Sequence, residues 1–382
     1  MDAAGDGDII KVAAGTYTDV HRRAGITQVV YVGNQGGGIC SVRANPVIAG
    51  NVISGNVAGT AGYARGGGIC LEGGTPSALI TGNHVLHNVA TTSAPDSGHG
   101  GGIYLNASAA TVYSNTIQDN IANPNGWGVG GGIYLYASTA IVEMNTVVSN
   151  TASGGHRGFG GGIMLYSSPA TVISNTVEHN IASTANLGNG GGIMLEFSDA
   201  TLTGNTVREN KAATADGGWG GGLSLVNSDA MPNGNTAYSN MASTASWGQG
   251  GGIYLLIFDN VAEGLGGGIY PAESDGTIVN NTIVQNAAAT GGGLHAYCLP
   301  TQTITITNSI FWDDIGGELS GNGYTVRYSN IEGGAVGTGN IAADPKFVNA
   351  GADDFHPLMS AAHRRPAMKS PGYRAAGDQS PL

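Results

Sequence analysis

The densest set of groups able to do chemistry falls on two neighbouring repeats: Glu178, His179, Arg208 and Glu209. The two pairs stand 30 residues apart, so stacking of the repeats in register sets Glu178 against Arg208 and His179 against Glu209. An arginine base beside carboxylates that hold calcium is the equipment of a polysaccharide lyase. Two exposed ion pairs, which need no substrate, meet the same pattern. These four are the weak catalytic candidates, and no other catalytic residue is assigned. Asp313 and Asp314 form a further acidic pair with nothing opposite them by spacing. The histidines show no metal-ligand spacing and the three isolated cysteines no zinc pattern. The expectation is no metal and no cofactor, with calcium entering only under the lyase alternative. The glycine-rich strings lead into strands, so there is no phosphate loop.

A second set of residues suits holding a ligand. The segments before the glycine triplets carry Tyr63, His99, Trp127, Phe159, Trp219 and Trp247. Loops leaving one corner of successive repeats would range these residues along an edge, where aromatic faces suit sugars. Packing down onto the loop backbone is the alternative. The outward positions of the first strand read Cys40, Cys70, Tyr104, Tyr134, Met164, Met194, and then Val42, Glu72, Asn106, Tyr136, Tyr166, Glu196. Tyr104, Tyr134, Tyr136 and Tyr166 are expected to form a contiguous exposed patch flanked by Glu72 and Glu196. Tyrosine is also simply a good strand residue. Cys40 and Cys70 would stack in adjacent coils, within the Cα range of a disulfide. Two free thiols fit the slot equally well, and Cys298 is unpaired by spacing.

Glycine triplets set all of these positions. The residue after each triplet is Ile39, Ile69, Ile103, Ile133, Ile163, Ile193, Leu223, Ile253, Ile269 or Leu294, at intervals of 30, 34, 30, 30, 30, 30, 30, 16 and 25 residues. A fixed period of this size marks a repeat fold. Within one unit, GGGIMLYSS, PATVISN and NTVEHN each alternate apolar and polar residues, the signature of strands with one buried face. The remainder, IASTANLGN, is small and polar and reads as a surface loop. Three short strands per turn, stacked at about 4.8 Å, describe a parallel β-helix. Asparagines occupy two fixed slots, among them Asn115, Asn145, Asn175 and Asn205 in one and Asn120, Asn150, Asn180 and Asn210 in the other. Their amides can hydrogen-bond up and down a ladder, so these columns are structural.

Composition narrows the partners. A formal net charge of −12 with 10% charged residues leaves no basic stripe for nucleic acid. No apolar run is long enough to span a bilayer. The N-terminal stretch is acidic from its second residue and carries no export signal.

With its GGGI and NTxxxN motifs the chain resembles the right-handed parallel β-helix proteins of the pectate-lyase-like superfamily. Within it, the chain is similar to large bacterial exported proteins carrying a choice-of-anchor Q domain. GDIIKVAAGTYT resembles their first coil; NSIFWDD, YSNIEGG, GTGNIAADPKFV and DDFH resemble their last. The resemblance implies export and attachment at the cell surface, and no shared reaction. The chain departs from the family in lacking a capping helix and in reading SAAHRRPAMKSPGYR where members continue into a further strand. Ser97-Gly98-His99-Gly100 resembles the Gly-His-Gly element of polygalacturonases, but no Asp-Asp pair precedes it as glycosidic hydrolysis requires. In later repeats the slot of His99 holds Val129, Phe159, Asn189, Trp219 and Gln249, so His99 reads as one draw at a variable position.

The expected architecture is all-β, a right-handed parallel β-helix of about nine or ten coils with three strands each. Residues 1–35 form an opening coil with an incomplete cap, 36–299 the repeats, 300–355 terminal coils and 356–382 an irregular tail. The expected function is a non-catalytic extracellular or cell-surface module, structural or glycan-binding, with a polysaccharide lyase or glycoside hydrolase as the alternative. Its partner would be a polysaccharide or cell-surface glycan, and the open solenoid ends favour end-to-end self-association.

Overall fold

A computed structural model describes residues 35–357, apart from 74, 227, 229–230, 234, 246–247, 250, 252–255, 259–261, 263, 272–275, 280 and 350–353. The expected opening coil up to residue 34, the tail from 358 onward and Trp247 lie outside the described residues. The chain divides into a unit ending at Ala343 and a second beginning at Asp344.

The first unit is a parallel solenoid, and among the described residues it contains no helix. Each regular coil carries five strand segments, not the three expected. In one coil they are Ile163–Tyr166, Thr171–Ile173, Thr176–Glu178, Ile181–Ser183 and Gly188–Asn189. Each pairs in parallel with its counterpart 30 residues on, for example Ile163 with Ile193 and Gly188 with Gly218. Five sheets result, numbered 1 to 5 here in chain order around the coil. Four of them have seven strands, while sheet 3 runs on to eleven. The expected nine or ten coils thus compare with seven in the regular stack and eleven rungs in the longest sheet. Where the repeat spacing collapses, between Ile253 and Ile269, sheet 3 keeps one rung, Leu256–Phe258, paired to Thr236–Tyr238 and Thr282–Val284.

Sheets 4 and 5 are built from the segment that reads as a loop. Small residues there mean close packing: a Cβ added to Gly188 would stand 1.7 Å from the carbonyl oxygen of Ala212. The two backbones lie directly on each other, which no residue with a side chain permits. The second and third glycines of each triplet serve the same end. A Cβ on Gly162 would sit 2.8 Å from Val177 Cγ1 and 3.0 Å from Asn180 Nδ2.

Inside the coil, identical positions stack. Ile103, Ile133, Ile163 and Ile193 form one column, Leu105, Leu135, Leu165 and Leu195 a second, and Val142, Val172, Val147 and Val177 lie opposite, all fully buried. The corners between sheets 2, 3 and 4 turn at left-handed residues, such as Ser174 (φ 52°) and His179 (φ 55°), each immediately before a ladder asparagine. The asparagine amide satisfies the backbone that this turn strands. Asn150 Oδ1 accepts from the N–H and Nδ2 of Asn120, both at 2.9 Å; its own Nδ2 donates to Ile117 O at 2.9 Å and Asn180 Oδ1 at 3.0 Å. Both asparagine columns behave in this way. A third ladder, of Ser108, Ser138, Ser168, Ser198 and Ser228, closes the corner between sheets 1 and 2. Short runs such as LYSS and LEFS conceal it in the sequence.

The second unit holds an antiparallel pair, Phe347–Asn349 with Asp354–Pro357. No helix among the described residues is long and apolar enough to cross a membrane.

Candidate functional site

Sheet 5 runs into sheet 1 through the first glycine of each triplet, which is left-handed. Gly130 has φ +63°, and a Cβ there would lie 2.6 Å from Tyr134 Cβ. This turn folds the outer face of sheet 5 toward the outer face of sheet 1. An inside corner forms along the solenoid, and the residue before each triplet points into it.

The corner buries what the sequence places outside. Cys40, Cys70, Tyr104, Tyr134, Met164 and Met194 form a second apolar cluster, with Val129, Phe159 and Tyr166 packed on it. Tyr104 and Tyr134 are only 2% and 4% exposed, so the contiguous four-tyrosine surface patch does not exist. The reason is the doubled-back pair of sheets 4 and 5, which a loop reading cannot supply. Tyr136 remains 41% exposed, and its ring stacks on that of Tyr166 at 5.6 Å with an interplanar angle of 7°. Phe197, 51% exposed, meets Tyr166 edge-on at 5.8 Å. Tyr136, Tyr166 and Glu196 are register partners on successive strands, and burial raises the Glu196 carboxyl above its ordinary value.

At the N-terminal end of this strip the corner turns polar. Tyr63 and His99 share a 2.8 Å hydrogen bond between Oη and Nδ1. Arg65, the register partner of His99, pairs with Glu72 at 3.1 Å and lies over the rings of Tyr63 and Tyr104 at 4.9 and 5.5 Å. His99 packs against Tyr134 at 5.1 Å. Burial, and then the Arg65 charge, lowers the His99 imidazole to about 3, so it is neutral at neutral pH. Burial raises the Tyr104 and Tyr134 hydroxyls as well.

The expected loop aromatics separate into two columns. His99, Val129, Phe159, Asn189 and Trp219 are register partners, whereas Trp127 pairs with Ser97, two positions earlier. Trp127 stacks on His156 at 4.7 Å and on Phe159 at 6.2 Å, with the Arg157 guanidinium 5.8 Å from its ring. On sheet 3, Glu178 and Arg208 are in contact, His179 Nε2 stands 2.7 Å from Glu209 Oε2, and Arg208 Nη1 stands 3.5 Å from Glu209 Oε1. All four residues are therefore engaged with one another. Cys40 and Cys70 are register partners yet free thiols. Parallel partners keep their Cβ atoms near the ~4.8 Å strand spacing, beyond the ~3.5–4.5 Å a bridge needs. A hydrogen bond with Cys40, together with burial, raises the Cys70 thiol. Among the described residues no three metal-ligating side chains converge.

Sequence reasoning assigned Arg65 no role and set His99 aside as variable. One signal was available: Arg65, His99, Val129, Phe159, Asn189 and Trp219 all immediately precede a triplet, and none of them is small. A position kept large beside glycines is covering something.

Fold and site together define a right-handed parallel β-helix with an aromatic-lined inside corner. A family described as "Right handed beta helix region" matches residues 8–177, somewhat less than half of the chain. Among solved structures, the crystal structure of the Dettilon tailspike protein (gp208) aligns with probability 1.00, a TM-score of 0.34 and 14% identity, over 74% of this chain and 61% of that one. The chain thus spans about three fifths of that neighbour's length. No curated protein matches.

Proposed function

We propose that the chain is a non-catalytic extracellular or cell-surface β-helix module that binds glycan along its inside corner. The observation that carries this reading is the stacked pair Tyr136 and Tyr166 on successive coils, with Tyr136 open to solvent and Tyr166 partly so. Rings stacked along the solenoid axis set a row of rigid aromatic edges, with their outer ring faces, beside which a sugar can pack at low entropic cost. Glu196 at one end and Asn106 at the other, with Glu72 one rung beyond, supply polar groups next to it. The finer likeness, to pectate-lyase-like and choice-of-anchor Q proteins, supports export and surface attachment. Parallel sheets of this kind can pair rung to rung with those of a second copy, which supports end-to-end self-association.

One arrangement favours a second reading, as a polysaccharide lyase or glycoside hydrolase: the convergence of Glu178, His179, Arg208 and Glu209. Calcium belongs to that reading alone. A single screen separates the two. Purified protein is tested for retention on neutral and acidic polysaccharides, with and without calcium, while the absorbance of unsaturated products is followed. Retention without product, weakened about three- to tenfold by Tyr136→Ala or Tyr166→Ala, is expected. Product that disappears in Arg208→Ala would overturn the binding reading. Neither product nor retention would leave a purely structural solenoid.

A further inference from the structure

The second asparagine ladder ends in acids. Asn286 donates its N–H and its Nδ2 to Asp314 Oδ1, both at 2.8 Å, as Asn150 does to Asn180 Oδ1. Asp314 thus occupies the next rung. The Asp314 N–H in turn donates to Glu318 Oε1 at 3.2 Å, so the Glu318 carboxyl stands where the following asparagine would be. The fit of the slot agrees. A Cβ on Gly293 would meet Asp314 Oδ2 at 2.6 Å, as one on Gly162 would meet Asn180 Nδ2 at 3.0 Å.

That correspondence creates a conflict. In the asparagine column the atom at this place is a donor: Asn180 Nδ2 gives hydrogen bonds to Val147 O at 2.9 Å and to Asn210 Oδ1 at 3.0 Å. Asp314 puts an oxygen there. Asp314 and Glu318 are 8% and 9% exposed, and Asp314 Oδ2 and Glu318 Oε2 are buried without a hydrogen-bond partner. Two ionised carboxylates held in this way would repel at short range in a low dielectric. A single proton between them satisfies both oxygens and removes one charge.

We infer that Asp314 and Glu318 share one proton that closes this ladder, so that the coils around residues 286–331 are held in acid and loosen as pH rises. The surroundings favour the protonated pair. Asp313 adds a neighbouring negative charge, itself engaged by Gln285 at 3.2 Å. Glu332 accepts the Asp313 N–H at 2.7 Å and its side chain reaches the Glu318 carboxyl, bringing a third carboxyl beside the pair. Arg327 lines the same cavity as Glu318 and Glu332 and is the cation on that side. Burial raises both carboxyls, and the contact with Asp314 raises Glu318 further. Raised acids bind a proton in the folded state that the unfolded state has released. Stability is therefore greatest below the ordinary carboxylate range and falls as pH rises through the raised values.

The test is hydrogen exchange of the full chain, corrected for intrinsic rate, between about pH 5.5 and 8. Peptides from residues 304–331 are compared with peptides from the regular coils at 140–210. The terminal coils are expected to open up to about tenfold more per pH unit, the signature of one linked proton, while the regular coils stay flat. Asp314→Asn restores an amide donor to the rung and Glu318→Gln supplies one from the other side. Each is expected to abolish the slope and to protect the terminal coils at the alkaline end. Terminal protection that is flat or rising with pH in the wild type would overturn the inference, even where neither variant folds. An unchanged slope in Asp314→Asn would do so as well.

Discussion

Truncating one ladder asparagine in the middle of the stack, Asn150→Ala, should cost more than removing almost any other polar side chain. Asn150 is fully buried and its amide makes four hydrogen bonds, to Asn120 twice, Ile117 and Asn180. A buried neutral hydrogen bond contributes about 1 kcal/mol net, and each stranded partner adds about 1–3 kcal/mol of uncompensated desolvation. Alanine strands the Asn120 N–H and one Asn120 amide hydrogen, and removes a donor to the Ile117 carbonyl. Two stranded donors at about 1–3 kcal/mol each and two further lost bonds at about 1 kcal/mol each come to about 4–8 kcal/mol, comparable with the whole stability of many domains. The control is Asn125→Ala. Asn125 is exposed, and its side chain donates one hydrogen bond, to Thr92 O at 2.8 Å, so its loss should cost under about 1 kcal/mol. Urea unfolding followed by circular dichroism gives the two differences directly. Equal costs, or a loss below about 1.5 kcal/mol for Asn150→Ala, would refute the view that the amides close the coil corners.

Three further outcomes follow from single positions. Met144 is left-handed (φ 54°) and 52% exposed, so Met144→Gly should relieve strain and stabilise the fold by about 0.5–1 kcal/mol once the flexibility of glycine is offset, read as a higher melting temperature; a lower one would count against the assigned turn. Cys40 and Cys70 are buried free thiols, and the raised Cys70 thiol should resist alkylation in the native state and react fully in denaturant. Rapid native labelling would place the inside corner open to solvent. His99, lowered to about 3 by burial and then by the Arg65 charge, makes the corner less stable as pH falls from its unfolded value of about 6.5 toward 3, because the unfolded chain takes up the proton first. His99→Gln should flatten that acid slope in a pH series of thermal melts, and a slope that survives the substitution would assign it elsewhere.

The repeat, the parallel register and the two asparagine columns were legible because each rests on a residue type at a fixed spacing, and stacking turns spacing into contact. The two extra sheets were not. Gly158 and Gly188 carry no periodic apolar signal, since what they provide is the absence of a side chain where the backbone touches that of Ala182 and Ala212. Misreading them displaced the site. With sheet 5 taken for a loop, Tyr104 and Tyr134 were left facing solvent, and Arg65 and His99 had nothing to cover. The strands of Glu178 and Arg208 were set correctly against each other because both lie on sheet 3, where alternation is clean. Asp314 was seen only as half of an acidic pair, since its identity as a ladder rung depends on a register that the shortened spacing after Ile253 obscures.

The glycines therefore do more than permit turns, and this links the fold to the proposed binding strip. Gly130 sets the angle at which sheet 5 leans on sheet 1, and Gly128 lets sheets 4 and 5 lie flat enough to lean there at all, a Cβ on it falling 1.8 Å from Ala152 O. That angle decides which tyrosines are buried as packing and which two, Tyr136 and Tyr166, stay at the surface as a stacked pair. The boundary is a single step of the strand: Tyr134 is 4% exposed and Tyr136 41%, two residues apart on one face. A substitution that opens the corner would expose Tyr134 and disturb the stacking of Tyr136 on Tyr166 without touching either ring. Under the proposed glycan-binding role, ligand preference would thus be written partly in residues that have no side chain.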